Sequence, residues 1–150
     1  MRKKIKPIIW FFTYLHHHSA WGITLLRFVV GGLIFFQGII KTFVTGFGIN
    51  YFTQLQIPLP WLVGPMISGL ELVGGFMLLI GLFVRYLGAI FTLEFLMAGL
   101  VIAGERTIMS ARLEYTILAG VVILTMQGAG AMAVDRQGRP WEPFSERRRR

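Results

Sequence analysis

A chain of 150 residues that is 55% hydrophobic and only 15% charged, with a mean hydropathy of +0.65, lies far outside the range of soluble domains and reads as an integral membrane protein. Its net charge of +8 would suit nucleic acid, but the basic residues gather at the two termini, where they set topology and touch anionic lipid, so no nucleic-acid partner is expected. The lack of cysteine excludes disulfides, thiol redox chemistry, iron–sulfur clusters and structural zinc.

Residues 1–20, "MRKKIKPIIWFFTYLHHHSA", combine a basic cluster (Arg2, Lys3, Lys4, Lys6) with a short aromatic patch closed by His16, His17 and His18. The patch is too short and lacks the small-residue end of a cleaved signal, so it is expected to be retained at the headgroup level. The three histidines are read as a wet interfacial cluster, and no metal site is expected.

Four apolar runs follow, at about 21–44, 61–84, 86–104 and 115–134. Each approaches the roughly 20 residues that a helix needs to cross about 30 Å of hydrocarbon. The expected architecture is therefore all-α: an integral membrane four-helix bundle over residues 21–134, with a tail at 135–150. The middle loop, residues 45–60, has no Lys or Arg, whereas Arg136, Arg139 and Arg147 to Arg150 follow the last span. The positive-inside rule then places both termini of this multi-pass chain in the cytoplasm.

The unusual residues of the spans fall on helical stripes. In the first span Arg27, Gly31, Ile34, Gly38 and Lys41 share a face, with Gln37 one turn before Lys41. In the second, Glu71, Gly74, Leu78, Gly81 and Arg85 do so, extended by Gly64 and Ser68, with Gly75 adjoining. In the fourth, Glu114, Val121, Gly128 and Asp135 recur at sevens. Small residues beside charges on one stripe mark a helix contact face, since glycine admits a neighbouring backbone and charges hide from lipid.

A charge inside a span costs a few kcal/mol, so Glu71 needs a partner or a task. At about 1.5 Å of rise per residue, Arg27 lies roughly 9 Å from the inner membrane face, Glu94 about 12 Å and Glu71 about 20 Å. Arg27 and Glu94 are thus expected to be level, with Gln127 nearby. Glu71 lies within reach of Arg27 or Lys41, and Lys41 is close in depth to Glu114. The cluster Arg27, Gln37, Lys41, Glu71, Glu94, Glu114 and Gln127 is expected either to fix helix register by ion pairing or to line a polar cavity for a small amphipathic molecule.

Three stretches, "LLRFVVGGLIFFQGIIK", "LELVGGFMLLIGLFVR" and "EYTILAGVVILTMQGAGAMAVD", resemble the DoxX family of small four-helix bacterial membrane proteins. The resemblance spans about Trp21 to Asp135 and rests on Arg27, Gly38, Lys41, Glu71, Gly74, Gly75, Gly81, Arg85, Glu114, Gly128, Gly130 and Asp135. Relatives often carry histidine where this chain has Gln37, and the spans here contain none. Members of the family resemble the membrane subunit of a thiosulfate:quinone oxidoreductase. The resemblance therefore implies an accessory subunit of a membrane redox complex, facing quinone and bearing no redox centre of its own.

Such a chain would not be a catalyst by itself. Its partners would be the bilayer and either other proteins of the complex or copies of itself, and its only ligand a quinone or lipid. Phe35, Phe36 and Phe76 beside Glu71 could form a quinone pocket. Two other readings fit the same residues: a structural subunit of a large respiratory or photosynthetic assembly, docked through "WEPFSERRRR", and a small-solute or ion pathway. The second suffers from the lack of an internal repeat or a clearly broken helix.

Overall fold

The computed structural model describes residues 6–105, 108–130 and 132–134, with side chains for 21–104, 109–130 and 132–134. Residues 1–5 and the tail at 135–150 lie outside the described residues, and the expected role of the histidines rests on side chains outside those described. Every described element is helical: α1 (Lys6–Ile39), α2 (Ile49–Gln54), α3 (Pro60–Ile80), α4 (Val84–Glu105) and α5 (Arg112–Gln127). Four stretches are long and apolar enough to span a membrane: Trp21–Val44, Pro60–Ile80, Val84–Gly104 and Met109–Gln127. Large apolar side chains such as Phe36, Met66, Leu93 and Met126 point outward around them. A belt of this kind is tolerable against lipid and not against water.

Local chemistry sets the boundaries. Pro60 opens α3, where its missing N–H is no loss. Gly81 closes that helix at φ 79°: its N–H bonds the Leu78 carbonyl and that of Leu82 bonds Met77, the paired pattern by which a left-handed glycine ends a helix. The chain then turns straight into α4, so Arg85 belongs to α4. The fourth span, α5, stops at Gln127, short of the expected residue 134, because Gly128 adopts φ 84°, ψ −158°, a conformation open to glycine alone. Residues 128–130 and 132–134 leave the helix, with the Ala129 and Met132 carbonyls at Arg27 of α1 and Ala133 against Gly81.

Helix α1 packs most extensively on α3, and α4 on α5, while α1 against α5 joins the two pairs. Around the bundle the order is α3, α1, α5, α4, and the seam between α3 and α4 is the least packed. Glycines permit this closeness. A Cβ on Gly38 would lie 2.7 Å from the Leu72 Cα, and one on Gly75 2.8 Å from the Phe35 Cα, so α1 and α3 touch backbone to backbone. Gly74 faces the Phe91 ring of α4, Gly99 the ring of Tyr115, and Gly120 the Val30 side chain. The main core gathers Ile34, Leu78, Phe91, Phe95, Ile117 and Leu124.

The exit from α1 is the least regular part of the fold. A π-helical turn, Ile40–Val44, carries Lys41. Gly46, Phe47 and Gly48 follow, all at positive φ (60°, 55° and 78°), and throw the chain back so that α2 lies on α3. There Gly48 and Gly64 meet so closely that neither could carry a side chain. A second small core of Leu55, Ile102 and Ala111 closes this end, with Tyr51 and Tyr115 packed on it.

Candidate functional site

The polar residues of the spans fall into two groups, one at each end of the bundle. At the α2 end the π-helical turn aims the Lys41 side chain at α3, where its Nζ lies 2.5 Å from Glu71 Oε1. Glu71 is 1% exposed and the Lys41 side chain 14%, so the pair is nearly dry. The ammonium also lies 5.3 Å from the Tyr51 ring centre and 5.9 Å from that of Phe52. Helix α2 thus roofs the pair with two aromatic faces that attract a cation.

Two further carboxyls converge on the same place. Glu94 shares a stripe with Leu87 and Phe91, the α4 residues that face Gly74, and its carboxyl lies near that of Glu71. Glu114 stands in the first turn of α5, beside the small core that closes this end of the bundle. Glu71 Oε2, Glu94 Oε2, Glu114 Oε2, Ser68 Oγ and Gln37 Nε2 are all buried without a hydrogen-bond partner. Buried polar atoms of this kind are rare and call for an explanation.

Of the residues expected to cluster, Lys41, Glu71, Glu94 and Glu114 do come together, with Gln37 one turn before Lys41. Arg27 does not join them. It lies at the opposite end, 1% exposed, and donates from Nη1 to the Ala129 carbonyl at 2.5 Å and from Nη2 to the Met132 carbonyl. Arg27, expected level with Glu94 and in reach of Glu71, instead serves the free carbonyls that the chain presents where it leaves α5 at Gly128. Gln127, expected beside Arg27, is exposed at the last turn of α5. Replacing Arg27 with Met should release residues 128–134: two charge-assisted bonds are worth about 2 kcal/mol or more together, so amide exchange there should rise by about tenfold or more with α3 unchanged. Unaltered exchange would show that Arg27 does not hold the segment.

The aromatic surroundings also differ from expectation. Phe36 and Phe76 point outward, 60% and 51% exposed, and Phe35 packs on Phe76 with ring centres 6.0 Å apart, so none of the three is set against the buried Glu71 carboxyl. The rings placed by the carboxyls are Tyr51 and Phe52 above, and Phe91 and Phe95 on the Glu94 helix, 6.2 Å apart. The spacing of Phe91, Glu94 and Phe95 carries this signal, since residues three and four apart share a helix face.

Residues 22–104 match the DoxX family. A curated protein of Bacillus subtilis (strain 168) named "Putative oxidoreductase CatD" is 29% identical over 115 residues, which cover 76% of this chain and 84% of that protein. No solved structure matches the chain. With four membrane-length helices, the glycine-lined first pair and more than half its length matched, the chain belongs to the DoxX family.

Proposed function

We propose that this chain is a membrane accessory subunit of a quinone-linked oxidoreductase, meeting the quinone headgroup at the Lys41–Glu71–Glu94–Glu114 cluster while a partner chain carries the redox centre. One observation carries the reading: one end of the bundle holds one ammonium among three carboxyls, with buried polar atoms left over. Intramembrane ionisable groups are expensive and are retained where they serve a function. A purely structural ion pair accounts for Lys41 and Glu71. It leaves Glu94 and Glu114 without a salt bridge among the described residues.

The relative named as an oxidoreductase supports a redox context. Without cysteine anywhere or histidine in the spans, the chain lacks the cysteines that hold iron–sulfur clusters and the histidine that most often holds haem, which favours an electron carrier on another subunit. The basic termini support an orientation with the Arg27 end at the cytoplasmic face of a bacterial inner membrane and the carboxyl cluster toward the opposite face.

The test is gentle solubilisation of native membranes, purification through the full chain, mass spectrometry of the co-purifying proteins, an optical spectrum, and solvent extraction for quinones. A stoichiometric flavin- or metal-bearing partner together with bound quinone is the expected result. A lone, colourless chain free of quinone would overturn the proposal.

A further inference from the structure

We infer that α2 is a lid, which lifts from α3 as one body between Gly46–Gly48 and Gln56–Leu59 and so opens the Lys41–Glu71 pair to the membrane surface. The inference goes beyond the quinone reading, since it concerns the way to the pair whatever occupies it.

Glu71 is 1% exposed, and the seams between the spans give no passage to it. Helices α1 and α3 meet backbone to backbone at Gly38 and Gly75, and the fully buried Phe91 ring fills the space at Gly74 between α3 and α4. Between α4 and α5, Thr125 presses on Gly88 and the Tyr115 ring on Gly99; between α1 and α5, Val30 presses on Gly120. Among the described residues the cover that is not a spanning helix is α2, whose Tyr51 and Phe52 rings face the Lys41 ammonium.

Helix α2 has only six residues, too few to hold a helix by its own hydrogen bonds, so its place depends on what it touches. It is fastened at two ends. Gly48 lies against Gly64 and Ser68 Oγ of α3, and Leu55 enters the small core with Ile102 and Ala111. Beside these contacts the backbone is left-handed at residues that carry side chains: Phe47 at φ 55°, Gln56 at 52° and Leu59 at 55°. That conformation costs such residues energy, and a change of angle at these positions relieves it. The closed lid also keeps polar atoms dry. Glu71 Oε2, Ser68 Oγ and Thr42 Oγ1 are buried without a partner, and water that reaches them as α2 lifts restores their hydrogen bonds. Strain and desolvation thus favour opening, while the apolar contacts of Leu55 and the two rings oppose it.

The chain has no cysteine, so one introduced thiol can report the opening. In the full chain in lipid nanodiscs, Ser68→Cys should react with a charged, membrane-impermeant methanethiosulfonate, whereas Val121→Cys, in the core among the spans, should not. Adding Leu55→Ala, at the far end of α2 from Gly48, should speed the Ser68→Cys reaction about tenfold or more, the effect of weakening a small apolar core. With Ser68 intact, amide exchange of Gly48, whose N–H bonds the Lys41 carbonyl, should rise by the same factor on Leu55→Ala. An inert thiol at position 68, or one no faster than that at 121, would overturn the lid. So would labelling and Gly48 exchange that ignore Leu55→Ala, since α2 would then fray at one end and not move as one body. No quinone enters this experiment, so its failure is separate from failure of the co-purification test.

Discussion

Gly38→Val should prevent the first helix pair from closing, at a cost of about 3 kcal/mol or more, whereas Gly69→Ala on the opposing helix should be neutral or slightly stabilising. At Gly38 the missing side chain leaves room only for backbone: a Cβ would lie 2.7 Å from the Leu72 Cα and 2.8 Å from the Glu71 carbonyl carbon. Neither atom can yield without moving α3 as a whole. At Gly69 nothing lies within 4 Å of a Cβ, so alanine there only removes the conformational freedom that glycine gives the unfolded chain. The contrast separates packing from helix propensity, since both substitutions improve propensity. Thermal unfolding in detergent, or reversible unfolding in bicelles, measures both. Similar effects at the two positions would mean that α1 and α3 do not meet at Gly38.

Gly38 also stands one turn before Lys41. Any separation of α1 from α3 at this level displaces the ammonium from the Glu71 carboxylate, so seam and site are one construction. Membrane helices have no hydrophobic drive to associate, and close backbone approach is what substitutes for it.

Much of this was legible in the sequence because lipid imposes simple rules. Long apolar runs become spans, and glycine beside charge becomes an interior face. Gly31, Gly38 and Gly75 do face between α1 and α3, and Glu71 is met by a basic residue of the first span. Which basic residue was not legible. Depth along straight helices leaves both Arg27 and Lys41 in reach, and the choice is made by irregular backbone: the π-helical turn at Ile40–Val44 aims Lys41 at α3, while the exit at Gly128 supplies Arg27 with carbonyls. Neither feature has a periodic signature. The aromatic roof was missed for a related reason. Tyr51 and Phe52 sit in a loop by hydropathy, and only the left-handed turn at Gly46–Gly48 brings them over the cluster.

The second large effect concerns the ion pair itself. Lys41→Met leaves the Glu71 carboxylate in a place 1% exposed with no replacement cation among the described side chains near it. Removal of one partner of a buried pair costs about 3 to 5 kcal/mol, because the remaining charge is stranded. Glu71→Gln alone should cost less than Lys41→Met, since the Lys41 ammonium keeps Glu94 nearby and the Tyr51 and Phe52 faces for company. The double variant should recover most of the loss, with a coupling energy of about 1 kcal/mol or more. Simple additivity would mean that the two residues do not interact in the membrane. The double variant also separates structure from function. If the pair served only to fix register, the double variant would retain both its fold and its co-purifying partners and quinone. If the cluster is the headgroup site, it should fold and come out of the membrane empty of quinone, because an apolar Met and a neutral Gln preserve the packing while removing the charges around which Glu94 and Glu114 are arranged.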